Sequence, residues 1–135
     1  MKICVTATAS SLDAQIEPRF GRCPYFIIVD SETMKFEAIR NVASSAIGGA
    51  GIRAAQTVSS RGVKVLITGN VGPNAFQALS AAGIKVMTGA SGTVREVVGK
   101  YKRGELKETS NPTVRGHHGM GMGRGRGGRG EQRGT

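Results

Sequence analysis

The residues best suited to hold a ligand lie in one short stretch, RFGRCPYFIIVD, at positions 19–30. Arg19 and Arg22 carry permanent positive charge, and Cys23 offers a thiolate that a soft metal ion would accept. An apolar run typical of a β-strand follows directly. The stretch therefore suggests the rim of a site for an anionic or metal-containing ligand. In the alternative interpretation, Arg22 is a solvated charge and Cys23 a small half-buried residue.

Glycine-rich loops supply a second kind of binding chemistry. Three of them, NVASSAIGGAGI, TGNVGP and TGASGT, each precede a predicted helix. Helix starts carry unpaired backbone N–H groups and the positive end of the helix dipole, and glycine lets a ligand approach the backbone closely. Glycines beside helix ends are also ordinary turn residues. The full set of candidate binding residues is Arg19, Phe20, Gly21, Arg22, Cys23, Gly48, Gly49, Gly51, Gly69, Asn70, Gly72, Gly89 and Gly92.

The elements that must position these loops follow from the hydrophobic pattern. Three β-rich segments come first and, because no helix separates them, predict an antiparallel meander. Helices and strands then alternate, and the last helix opens with the capping box T-V-R-E at Thr93. We expect an α/β fold with a mixed five-stranded sheet in the order βββαβαβα, helices on both faces and the most apolar strands at the centre. The predicted strands are 1–8, 25–30, 35–40, 63–68 and 84–88, and the predicted helices are 49–61, 73–82 and 93–104.

This topology brings the candidate residues to one edge of the sheet. If the first strand runs toward that edge, the second starts there, and the third and the parallel fourth and fifth strands end there. Three helix N-termini would then open onto one crevice, at the edge where open α/β sheets usually bind ligands. We therefore expect an anion-binding site at this edge.

Composition divides the chain of 135 residues into two parts. Residues 1–110 have the length and pattern of one folded domain, whereas residues 111–135 alternate glycine with arginine, histidine and methionine and predict a disordered tail. The net charge is +10, to which the five arginines and one glutamate of the tail contribute +4, which leaves +6 for the domain. A basic domain favours an anionic partner.

The tail offers two further chemistries. His117 and His118, followed closely by two methionines, could capture a metal ion such as Cu(I), although an inert solubilising tail is an equal alternative. The segment RGRGGRG is similar to RGG segments that bind RNA, but no aromatic residue interleaves with its arginines. Nucleic-acid or polyanion binding through the tail is therefore the alternative function of the protein.

The sequence lacks the residues that several classes of protein require. Cys4 and Cys23 form no CxxC pair, which argues against a disulfide framework or zinc ribbon, and Cys4 is expected in the core. The first strand has no carboxylate for the Mg²⁺ of a nuclease, and both histidines lie in the tail, so no catalytic triad can be built. A nucleotide or small-anion sensor is not supported, because the sequence contains no phosphate-binding motif. Since no apolar run spans a bilayer and no signal-peptide layout is present, we expect a non-enzymatic, cytoplasmic protein without membrane contact.

Taken together, the motifs resemble a known family. In their order and spacing, RFGRCPYFIIVD, IGGAGIRAA, VLITGNVGPNAFQAL and GTVREVVGKYKRGEL resemble the dinitrogenase iron-molybdenum cofactor biosynthesis family over residues 1 to 108. The resemblance implies a ribonuclease H-like fold and non-covalent binding or delivery of an iron-sulfur or molybdenum-containing cluster at the glycine loops, with cofactor-assembly proteins as partners. In the nitrogenase-type members a histidine typically precedes the Phe-Gly pair, where this chain has Arg19, which cannot ligate a metal. Cys23 is then the best soft donor in the fold.

Overall fold

The computed structural model describes residues 1–42 and 49–113, so Gly48, His117 and His118 lie outside the described residues. Its elements follow one another as three strands and then alternating helices and strands. Their bounds lie within about two residues of those predicted from the pattern, which is the usual uncertainty of element ends. In chain order they are β1 (Lys2–Ala7), β2 (Tyr25–Asp30), β3 (Phe36–Arg40), α1 (Ala50–Ser59), β4 (Val65–Ile67), α2 (Pro73–Ala81), β5 (Lys85–Met87) and α3 (Val94–Lys102).

The strands form one mixed five-stranded sheet in the order β3-β2-β1-β4-β5. β2 pairs antiparallel with both β1 and β3, whereas β1 with β4 and β4 with β5 pair in parallel. β1 is therefore the central strand, as its apolar sequence predicted, and all its residues after Lys2 are buried. The predicted mixed sheet is confirmed.

Two apolar cores cover opposite faces of this sheet. α1 and α2 pack over the face that carries Cys4 and Leu66. α3 and the β1–β2 connection pack over the other face, which carries Val5 and Ile67. Neighbouring residues of one strand point to opposite faces, so Cys4 and Val5 contribute to different cores. Helices therefore lie on both faces of the sheet, with α3 on the face opposite α1 and α2.

Strand register brings the ends of several elements to one edge. Ala7 at the end of β1 pairs with Tyr25 at the start of β2, and Tyr25 pairs with Arg40 at the end of β3. On the parallel side, the last residues of β4 and β5, Ile67 and Met87, pair with each other. We call this the glycine edge, because the loops that contain Gly49, Gly69, Gly72 and Gly89 leave the sheet there.

Over residues 1–42 and 49–113, no helix is both long enough and apolar enough to cross a membrane.

Candidate functional site

Backbone contacts hold the β1–β2 connection on the glycine edge. The Asn70 N–H donates to the Pro18 carbonyl at 2.7 Å, and the Phe20 N–H donates to the Asn70 carbonyl at 3.2 Å. A Cβ on Gly69 would lie 2.6 Å from the Cα of Pro18, closer than real Cβ atoms come to backbone. The connection is thus fastened to the loop that enters α2, at a distance that only glycine allows.

Gly21 lies against the start of α1. Its φ of 96° is in the left-handed region that favours glycine, and a Cβ there would lie 3.1 Å from the Cα of Gly51. Gly51 in turn faces α2, where a Cβ on it would lie 3.1 Å from the Cβ of Ala75. The two glycines therefore let the β1–β2 connection, the first turn of α1 and the first turn of α2 meet closely.

α1 and α2 both begin on a glycine. Gly49 and Gly72 are the N-cap residues, and neither helix has a side-chain hydrogen bond at its cap or an acidic residue in its first turn, within the part of the chain that the structure describes. The positive ends of both helix dipoles are therefore not neutralised by a carboxylate of the same first turn. Two such starts on one face of the sheet favour an anion between them.

α3 does not share this arrangement, so the expectation of three helix starts around one crevice is wrong. The Val94 N–H donates to the Ala14 carbonyl at 3.0 Å, and the Arg95 N–H donates to the Leu12 carbonyl at 2.9 Å. The predicted capping box is present and satisfies further groups at Thr93. The β1–β2 connection covers the start of α3, and α3 lies on the opposite face of the sheet, so its amides are not offered to a ligand at α1 and α2.

The two glycines of the β5–α3 loop have different neighbours. The Gly89 N–H donates to the Gly69 carbonyl at 2.8 Å, which keeps Gly89 beside the loop that enters α2. The Gly92 carbonyl accepts from the Ile16 N–H at 2.9 Å, which ties Gly92 to the connection over α3. The structure therefore brings Gly89 to the other candidate glycines and leaves Gly92 with α3.

Cys23 is a buried thiol with no exposed surface. Burial raises its pKa to about 12, despite a weaker opposing effect of the hydrogen bond from the Asn41 side chain. The Asn41 amide donates to the Cys23 carbonyl at 2.9 Å and to the Gly21 carbonyl at 3.1 Å. The expectation of a thiolate beside Arg22 does not hold in this conformation, because the core encloses the sulfur and keeps it protonated. Cys4 is buried as predicted.

The positive charge of the site lies on its exposed rim. Arg19 pairs with Glu17 at 3.2 Å and its side chain is 69% exposed, so most of its guanidinium remains in water. Arg22 is exposed next to it, and its N–H donates to the Arg19 carbonyl at 3.2 Å. Sequence reasoning missed one contributor, the buried Asn41, whose amide holds the Gly21 and Cys23 carbonyls. The single asparagine directly after β3 was the available signal for Asn41.

The arrangement presents hydrogen-bond donors rather than metal ligands. Over residues 1–42 and 49–113, no three or more His, Cys, Asp or Glu side chains are grouped so that they could hold a metal ion. Backbone amides and arginines bind anions through charge-assisted hydrogen bonds. The described site is therefore suited to docking a preformed anionic group without covalent attachment.

Comparison with known proteins relates this chain to a family and to solved structures. The apo form of the orange protein from Desulfovibrio gigas is 44% identical, with a TM-score of 0.82, over 84% of this chain and 96% of that chain. An NMR structure of a candidate NifB protein from Thermotoga, of the DUF35 family, is 36% identical, with a TM-score of 0.74, over 84% and 97% of the two chains. A candidate dinitrogenase from Methanocaldococcus jannaschii shares the fold at 22% identity, with a TM-score of 0.65, over 83% and 97%.

Among curated protein sequences, none matches this chain. The family model described as dinitrogenase iron-molybdenum cofactor matches residues 1–104, which include every described element and every described candidate residue. The resemblance noted in the sequence motifs is thereby confirmed, and the chain belongs to the dinitrogenase iron-molybdenum cofactor family.

Proposed function

We propose that this protein is a non-catalytic carrier that holds an iron-sulfur or molybdenum-containing cluster at the glycine edge and passes it to cofactor-assembly proteins. One observation carries the proposal. α1 and α2 both start on glycine N-caps, on one face of the sheet, with no acidic residue in either first turn. Metal–sulfur clusters of this kind are anionic overall, and their sulfides accept N–H hydrogen bonds.

The chain's own part in this function is to bind and orient the cargo. The N–H groups of Ala50, Gly51 and Ile52 in α1, and of Asn74 and Ala75 in α2, are the first-turn donors that would contact the cluster. Arg19 and Arg22 would add charge at the rim. Because no metal–protein bond from the described residues is needed, the cargo can be released to a partner without breaking one.

The names of the family and of its relatives support this proposal. The family is described by the iron-molybdenum cofactor. The orange protein is named for a colour and was solved in its apo form, that is, without a bound group. We extend both points to this chain as part of the proposal, together with the ribonuclease H-like fold that the sequence resemblance implied.

Anaerobic reconstitution of the full chain with iron, sulfide and molybdate tests the proposal. We expect a coloured protein that retains metal in near-stoichiometric amount through gel filtration. A chain that remains colourless and metal-free in all combinations of these reagents would contradict it.

A charge placed at the start of α2 tests the location of the cluster. Asn74 is the second residue of this helix and is exposed, so Asn74→Asp changes charge without changing shape and is itself favourable to the helix. We expect about tenfold weaker cluster retention, because a carboxylate then lies near the anionic cargo. Gln77→Glu adds the same charge about one turn later and is the matched control. Equal retention by the two variants would place the cluster elsewhere.

A further inference from the structure

The β1–β2 connection carries its two arginines in one turn, residues 19–23, which we call the rim turn. The first half of this turn is held by backbone and by packing. The Phe20 N–H donates to the Asn70 carbonyl at 3.2 Å, in the loop that enters α2. The Phe20 ring is largely buried and packs on Phe26, with the two ring centroids 6.0 Å apart. The first half of the rim turn is therefore fixed to α2 and to the core.

The second half of the rim turn is held by a side chain that follows β3. Asn41 is 5% exposed, and its amide nitrogen lies 2.9 Å from the Cys23 carbonyl oxygen and 3.1 Å from the Gly21 carbonyl oxygen. The same nitrogen is 3.9 Å from the Cys23 sulfur. The Asn41 backbone N–H donates to the Pro24 carbonyl at 2.9 Å and so continues the β2–β3 pairing. A buried amide whose own backbone is fixed thus bonds both carbonyls of the turn.

The two carbonyls need this amide because they belong to buried residues. Gly21 and Cys23 are both buried, and the two hydrogens of the Asn41 amide nitrogen match the two carbonyl acceptors. A buried carbonyl that loses its donor carries the full cost of having left water. Loss of the amide would therefore favour an outward movement of the turn, because water can then satisfy the carbonyls. Such a movement would also uncover the Cys23 sulfur.

The rim turn in turn rests on the start of α1. A Cβ on Gly21 would lie 3.1 Å from the Cα of Gly51, so the two backbones meet without a side chain between them. Arg22 follows Gly21 directly, and its N–H donates to the Arg19 carbonyl at 3.2 Å. The position in which Asn41 holds the turn thus sets where both arginines stand relative to the first-turn N–H groups of α1.

We propose that Asn41 is a positioning residue, whose amide holds the rim turn closed against the start of α1 and so places the rim arginines beside the helix amides that receive the anionic cargo. Its part in cargo binding rests on the proposed function, whereas the closure of the turn over Cys23 does not. The amide suits this role because it donates two hydrogen bonds without bringing a charge into the core. An aspartate of the same shape would turn acceptors toward both carbonyls.

Alkylation of Cys23 by iodoacetamide in the full chain tests the closure, because the sulfur is fully buried while the turn is closed. Asn41→Leu has a similar size and no donor, and Asn41→Ser leaves room for a water molecule should the leucine variant not fold. In both, Cys23 should be modified about tenfold faster relative to Cys4, as measured by mass spectrometry. Cys4 lies in the central strand and is reached by global unfolding, so the ratio removes any general loss of stability.

Two further variants separate positioning from stability. Asn41→Gln keeps the amide donors and should speed the modification of Cys23 less than Asn41→Leu does. Val97→Ala removes buried volume under α3, on the opposite face of the sheet, and should leave the ratio of Cys23 to Cys4 modification at the parent value. A parent ratio in both Asn41→Leu and Asn41→Ser would overturn the proposal.

Amide NMR signals test the transmission to α1. The signals of Gly51 and Ile52 should shift in Asn41→Leu, because the turn no longer presses on the start of the helix through Gly21. The same two signals should keep their positions in Val97→Ala. Unshifted signals of Gly51 and Ile52 beside faster modification of Cys23 would contradict the placement of the turn against α1.

Retention of a reconstituted cluster tests the part of Asn41 in cargo binding. Asn41→Leu and Asn41→Ser should retain the cluster about tenfold more weakly than the parent chain, and Val97→Ala should retain it equally well. Parent-like retention in all three variants would refute this part of the proposal. A chain that binds no cluster in any form contradicts the carrier function alone, and the modification of Cys23 still decides whether Asn41 closes the turn.

Discussion

At the scale of single residues, the glycine edge is built on contacts that leave no room for a side chain. Gly69 permits the Pro18 backbone to approach and exchange hydrogen bonds with Asn70, and Gly21 does the same for the start of α1. These contacts fix where the rim residues Arg19 and Arg22 stand relative to the two helix starts. A candidate binding site made largely of backbone depends on such positions more than on any one polar side chain.

Gly69→Ala should therefore destabilise the protein by about 1 to 3 kcal/mol, as overpacking does, because its Cβ would meet Pro18 backbone at 2.6 Å. Gly99→Ala is the matched control. Gly99 lies inside α3, its added Cβ would meet only the flexible end of Arg103, and alanine favours a helix over glycine by about 0.8 to 1.0 kcal/mol. Urea unfolding of each variant measures its change in the free energy of unfolding. A Gly69→Ala protein as stable as the parent chain would refute the close approach.

The buried thiol of Cys23 makes stability depend on pH. Its pKa is about 12 in the folded protein against an ordinary 9.0, so the unfolded chain loses the proton first as pH rises. The stabilisation that the buried, protonated thiol gives the folded state is complete below pH 9 and is lost progressively toward pH 12. Between these two pKa values, this one group should lower the free energy of unfolding by about 1.4 kcal/mol per pH unit. Unfolding free energies measured from pH 8 to 11 should fall less steeply for Cys23→Ala than for the parent chain, and parallel curves would contradict the burial.

The same thiol should be dispensable for cargo binding. Cys23→Ser should retain a reconstituted cluster as well as the parent chain does, because the sulfur is enclosed and protonated. Cys4→Ser is the control for a buried cysteine within the same core. Retention lost in Cys23→Ser alone would show that the sulfur becomes a ligand after a rearrangement of the β1–β2 connection.

At the scale of elements, α3 is stabilised from outside its own sequence as well as by its capping box. Thr93→Ala should cost about 1 kcal/mol of stability, and Thr93→Ser, which keeps the hydroxyl that accepts from the Glu96 N–H, should cost less. The hydrogen bond from the Thr93 N–H holds the pKa of Glu96 below its usual range. The stability that Glu96 adds over Glu96→Gln is thus present above the ordinary carboxyl pKa and disappears as pH falls through the lowered value. Thermal unfolding near neutral pH and in acid checks both statements.

The elements and their common edge could be predicted because they follow from local patterns. Short stretches of consecutive residues are enough to predict the helix that starts at Pro73, the helix capped by Thr93 and the strand of residues 25–30. The packing of the β1–β2 connection over the start of α3 could not be predicted in this way. Its Ala14–Val94 hydrogen bond joins residues 80 positions apart, and neither local sequence indicates this pairing. The same holds for the enclosure of Cys23, which depends on packing from several elements, and for the anchoring of Thr113, which composition had assigned to the tail.

At the scale of the whole molecule, the sheet separates two environments. On the face covered by α1 and α2, both helices start at the glycine edge without a side-chain cap. On the opposite face, the β1–β2 connection packs over the start of α3. Residues 105–113, which follow α3, link the two: they pair with the outer edge of β5, and the Thr113 N–H donates to the Val71 carbonyl. Thr113, the last described residue, therefore lies at the edge where we propose the cluster binds.

The arginines at the end of the chain give a last prediction, which concerns the alternative function. Replacing Arg124, Arg126, Arg129 and Arg133 by glutamine in the full chain should remove most binding to single-stranded RNA, measured by fluorescence anisotropy over a salt series. Each phosphate contact contributes a slope of about −0.7 to the dependence of log K on log salt for single strands, so the slope should flatten by up to about 3. Replacement of the same number of arginines in the folded part, Arg53, Arg61, Arg95 and Arg103, is the control for net charge. Because the amide donors of the glycine edge are unchanged in the tail variant, its cluster retention should equal that of the parent chain. Loss of RNA binding together with loss of the cluster would mean that the two functions share a surface, and the carrier proposal would then have to include the tail.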